Sequence, residues 1–93
     1  MTDREARVAH EILRIARDEL RLGDATPAPD AALAGALDSL QLLSLVVAVE
    51  DRFRIVLEDD DAAGTRTLAD LARLVAARSD AALIPAQAPE PAR

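Results

Sequence analysis

The chain has 93 residues, 51% of them apolar, a formal charge of −6 and no cysteine. A chain of that size allows one small domain with a modest buried fraction, and the lack of cysteine excludes disulfides, thiolate nucleophiles and Cys-based metal sites. A lone histidine, His10, leaves no Ser–His pair with a partner to orient it and no His-rich metal site, and the acidic balance argues against nucleic acid, whose phosphates need a basic patch. No secretory signal is recognisable and no apolar run nears the roughly 20 residues of a membrane span, so a cytoplasmic protein is expected. The acidic excess is local. Residues 23–62 hold nine acids against Arg52 and Arg54, whereas residues 1–22 balance to zero. The apolar residues are mostly Ala, Leu and Val, with Phe53 the single aromatic, a composition suited to closely packed helices.

In chain order, Thr2 to Leu22 reads as an amphipathic helix. Val8, Ile12, Ile15 and Ala16 recur at helical spacing, and Arg4, Arg7, Glu11, Arg14, Asp18 and Arg21 supply polar faces. Gly23 fits a C-cap, and His10 falls among the surface residues. Asp24 to Leu37 reads as a long connection broken by Pro27 and Pro29 and pinned to the core by Leu33 and Leu37. A second helix is predicted from Asp38, a good N-cap, with Gln41 completing a capping-box pair. Ser39 then occupies the first helical position. Serine is common at helix starts, so this residue alone is weak. The helix runs to Phe53 with Leu42, Leu43, Leu45, Val46, Val47 and Val49 around much of its circumference. Such a helix is buried on several sides or keeps an apolar face for a partner.

Phe53, Ile55 and Leu57 alternate with Arg54 and Val56, and with no second strand available they read as an extended connector. Asp59 to Ala63 reads as a short helical turn ended by Gly64. The acidic run has neither the spacing nor the bidentate glutamate of a calcium loop, so no metal is assigned. Thr67 caps a last helix with Asp70 at the capping-box position, and Leu68, Leu71, Ala72 and Val75 form its apolar stripe. Residues 80–93, rich in Ala and Pro, read as a flexible tail beyond a domain of residues 1–79.

The run Leu37-Asp38-Ser39-Leu40-Gln41-Leu42-Leu43, followed by Val49-Glu50-Asp51-Arg52-Phe53, Leu57, Ala62, Thr67-Leu68 and Leu71, resembles the acyl carrier protein family. The resemblance is ungapped from about Leu37 to Ala77, and the first helix and its loop fit the same plan. It implies an all-α four-helix bundle, three main helices and one short, with no catalytic activity of its own. By the same resemblance Ser39 would carry 4'-phosphopantetheine donated by coenzyme A through a phosphopantetheinyl transferase, beside the cap Asp38. The arm's thiol would hold acyl groups as thioesters. Leu40, Glu50, Asp51, Glu58, Asp59, Asp60 and Asp61 match the family's recognition surface for loading, condensing or tailoring enzymes with basic patches. Leu43, Val46, Val47 and Thr65 are the positions of its acyl cleft, although from the residues alone the first three read as core.

Three departures matter. Ala36 stands where the family usually has glycine, with Gly35 one residue earlier; Ser44 replaces a frequent acid; and Thr65 replaces an apolar cleft residue. They point away from housekeeping fatty-acid synthesis toward polyketide or related specialised metabolism. An aminoacyl or peptidyl carrier of a nonribosomal pathway and an unmodified acidic helical adaptor stay open as alternatives. An autonomous enzyme would need a nucleophile–base–orienter set that the chain lacks. Length and the initiating Met1 are read as a free-standing monomer acting in trans.

Overall fold

In the computed structural model, which describes residues 2–58, 60–61 and 64–79, the chain is all-α. Helix α1 spans Asp3–Arg14. It starts in a reciprocal capping box, in which Thr2 Oγ1 accepts from the Glu5 N–H at 3.1 Å and Glu5 Oε1 accepts from the Thr2 N–H at 2.8 Å. The rod continues as a π-helical segment, Ile15–Glu19. It therefore stops short of the predicted Leu22, and the chain reverses at Arg21 rather than at Gly23. Arg21 takes a left-handed backbone (φ 57°), and the Leu22 N–H returns to the Ala16 carbonyl at 3.1 Å. The physical reason lies in Leu20 and Leu22, which both pack against the core. A continuous helix would carry Leu22 onward along the axis instead of turning it back.

Gly23, with φ 52°, opens a 3-10 turn over Gly23–Ala25. The connection predicted as loop also contains a short helix, α2, over Leu33–Ala36. Leu33 and Leu37 are both buried, and a single helical turn is what brings residues four apart onto one face. Backbone hydrogen bonds stitch this segment to the far end of the chain. The Leu33 N–H donates to the Arg66 carbonyl and the Ala69 N–H to the Pro29 carbonyl, each at 2.9 Å, while Ala32 and Thr67 form an isolated antiparallel bridge.

Helix α3 spans Ser39–Phe53 and helix α4 spans Leu68–Arg78. The predicted cap of α4 is present, with Thr67 Oγ1 accepting from the Asp70 N–H at 3.1 Å. Between α3 and α4, Ile55 and Leu57 of the connector pack on the core. Of the short turn predicted over Asp59 to Ala63, Asp60 and Asp61 are helical, and Asp59, Ala62 and Ala63 lie outside the described residues. So does the predicted tail.

The core is built from one stripe of each long helix: Val8 and Ile12 of α1 with Ile15 of the π-helical segment that continues it, Leu45, Val49 and Phe53 of α3, and Leu68, Leu71 and Val75 of α4. This corrects two expectations. In α3, Leu43 and Val47 are not core; they are 59% and 54% exposed, and Val46 is half-buried. Two residues advance a helix by about 200°, so with Leu45 and Val49 facing in, Leu43 and Val47 face out. In α1, Glu11 does not belong to a solvated face but is buried, at 8% exposure.

Candidate functional site

The start of α3 is organised by Asp38. Its backbone is extended (φ −76°, ψ 174°), its Oδ1 accepts from the Gln41 N–H at 2.7 Å, and Gln41 Oε1 accepts from the Asp38 N–H at 3.0 Å. The Asp38 carbonyl takes the Leu42 N–H at 2.9 Å. Those bonds leave the N–H groups of Ser39 and Leu40 with no intrahelical acceptor. Both residues are exposed. Among the described residues the Ser39 hydroxyl makes no hydrogen bond, so it stands accessible at the positive end of the helix dipole. An exposed hydroxyl beside two unsatisfied N–H groups suits an esterified phosphate, because an anion there meets donors rather than competing side chains. The residues present therefore fit a phosphodiester on Ser39.

From this point an apolar stripe runs down the outside of α3. Leu40 is 73% exposed and leads to Leu43 and Val47. The acidic residues divide into two groups. Asp51, Glu58 and Asp60 are exposed. Glu50 turns back, its Oε2 accepting from the Leu57 N–H at 2.7 Å, so that it fastens the connector to α3. Asp61 caps the acidic turn by accepting from the Glu58 N–H at 2.9 Å and pairs with Arg78 through both carboxylate oxygens. The Arg78 guanidinium holds the Asp61 carboxyl below the usual aspartate range, with the Glu58 N–H adding to the effect. Thr65 is half-buried, and its hydroxyl donates to the Asp61 carbonyl at 2.9 Å. Asp59 lies outside the described residues.

Sequence reasoning missed a charged cluster that joins α1 to the C-terminal end of α3. Glu11 accepts from Arg14 at 2.9 and 3.1 Å and from Arg52 Nε at 2.8 Å, joining α1 to α3. Arg14 also reaches Glu19 at 2.9 Å, and Arg52 lies over the Phe53 ring, 5.2 Å from its centroid. Hydrogen bonding to Arg14, reinforced by Arg52, lowers the Glu11 pKa despite burial. The Glu11–Arg14 spacing was visible in the sequence, whereas Arg52, 41 residues away, carried no local signal. No cluster of metal-ligating side chains occurs among the described residues, and no helix there is long and apolar enough to cross a membrane.

The sequence model of the phosphopantetheine attachment site family matches residues 10–75. The chain thus belongs to that family, the acyl-carrier type of carrier protein. No curated protein and no solved structure matches it significantly.

Proposed function

We propose that this protein is an acyl carrier in which Ser39 bears the phosphopantetheine group, acting in polyketide or related specialised metabolism. When attached, that group supplies a thiol on which acyl cargo is held as a thioester. The observation that carries the assignment is the exposed, uncommitted Ser39 hydroxyl at the first turn of α3, with Asp38 holding the helix end and leaving two N–H groups for a phosphate. The cysteine-free chain offers no thiol of its own, and the role of its side chains is to present, anchor and be recognised.

Leu40 is the first apolar contact for partner enzymes and for the phosphopantetheinyl transferase that draws on coenzyme A. Asp51, Glu58 and Asp60 supply the field that steers basic patches, because complementary charge speeds encounter. Glu50, Asp59 and Asp61 belong to the same acidic segment, with Glu50 and Asp61 also holding its shape.

Intact-mass measurement after incubation with coenzyme A and a broad-specificity transferase tests the reading. The expected result is a gain of one phosphopantetheine group that disappears in Ser39→Ala. No gain on the native protein would make the chain an unmodified acidic adaptor instead, and a gain that survives the substitution would overturn Ser39 as the attachment residue.

A further inference from the structure

An open groove of about 560 Å³ lies along the outside of α3, lined by Glu19, Leu43, Ser44, Val47, Ala48 and Asp51. Its lining combines three apolar side chains, Leu43, Val47 and Ala48, with two carboxylates and a hydroxyl. The π-helical segment that follows α1 supplies Glu19, which Arg14 holds at 2.9 Å. Resting on the assignment of Ser39 above, we infer that this groove, rather than the bundle interior, is where the protein receives the pantetheine arm between encounters with its partners.

Three observations converge on that occupant. The first is the tether: the groove begins at Leu43, one helical turn beyond Ser39, and ends at Asp51, about 18 Å of helical rise from Ser39. The second is chemistry. A pantetheine arm has geminal methyls and methylenes for Leu43, Val47 and Ala48, and amide N–H and hydroxyl donors for the Glu19, Asp51 and Ser44 oxygens. The third is the state of the interior. Leu45, Val49, Phe53 and Leu68 are all fully buried, and a core packed by such side chains leaves few voids larger than a water molecule. The volume is within the range of ligand sites, about 300–1,000 Å³. The groove is open along its length, so occupancy is reversible and the arm stays available.

The experiment is NMR on apo and holo protein, with intact mass recorded on the same sample. The expected result is a set of nuclear Overhauser contacts from the arm's geminal methyls to the methyls of Leu43 and Val47. Shifts at Glu19 and Ala48 on loading accompany them, and all are lost in holo Val47→Asp. Val47 is exposed, so that variant keeps its core, and the contacts in the unsubstituted protein are a test independent of it. A complete mass gain with no arm contact beyond Gln41, or with contacts to Val49, Phe53 or Leu71, overturns the groove while leaving Ser39 modified. Absence of any mass gain overturns the attachment itself.

Discussion

Arg54 ends α3 in a left-handed conformation (φ 57°), its N–H and that of Ile55 both returning to the Glu50 carbonyl. A side chain with a Cβ is disfavoured there by roughly 1–2 kcal/mol. Glycine removes that strain at some cost in unfolded-state entropy. Arg54→Gly should therefore raise stability by about 0.5–1 kcal/mol, read as a higher urea midpoint at unchanged slope. Asp38→Ala removes a cap and should lower stability by about 0.5–2 kcal/mol in the same assay. At this scale much was legible beforehand. Asp38 with Gln41 and Thr67 with Asp70 are caps because each donor and acceptor lies three residues from its partner, a relation the sequence displays directly. Arg21 and Arg54 were not legible as left-handed residues, since nothing local marks an arginine for that role and only the demand to turn Leu22 and Ile55 inward imposes it.

Among the elements, α3 shows where periodicity stops being informative. With apolar residues at positions 42, 43, 45, 46, 47 and 49, several rotations of the helix bury a plausible stripe, so its existence and start were legible but its phase was not. Phase comes from the partners, Val8 and Ile12 of α1, Ile15 of the π-helical segment and Leu68 and Leu71 of α4, and from the Glu11–Arg52 pair. That pair should matter beyond its size. Glu11→Gln leaves Arg52 and Arg14 without their shared carboxylate, and a lost hydrogen bond to a charged group costs about 1.5–3 kcal/mol. Thermal or urea unfolding checks it. The pH dependence has a definite sign. Glu11 has its pKa lowered from an ordinary 4.5, so the folded state binds its proton less tightly than the unfolded chain does. Its contribution to stability is complete above 4.5 and is lost as pH falls through the lower, folded-state value. Acid titration of the urea midpoint should show this loss in the native protein and a weaker one in Glu11→Gln.

For the molecule as a whole, the single aromatic side chain belongs to the shared core. Phe53 is fully buried, and Phe53→Ala should cost about 3–5 kcal/mol, a large part of the stability of a domain this small. Charge acts at the same scale. Reversing Asp51 and Asp60 to lysine should slow transferase modification at low salt, and the difference from the native protein should shrink as ionic strength rises, because screening removes steering first. The location of the acidic excess beside Ser39 could be read from composition. The split of that excess into exposed residues (Asp51, Glu58, Asp60) and shape-holding residues (Glu50, Asp61) could not, since a carboxylate's partner is a property of the folded chain.

The stitch between Pro29–Leu33 and Arg66–Ala69 ties the two ends of this arrangement together. Asp38 and Ser39 are delivered by a segment whose anchor is formed by residues nearly 30 positions later, so the serine's address is written partly in α4. A chain that has emerged only as far as α3 holds Ser39 in sequence but not in place. On the function proposed above, modification of Ser39 is expected of the finished domain and not of a chain that lacks α4.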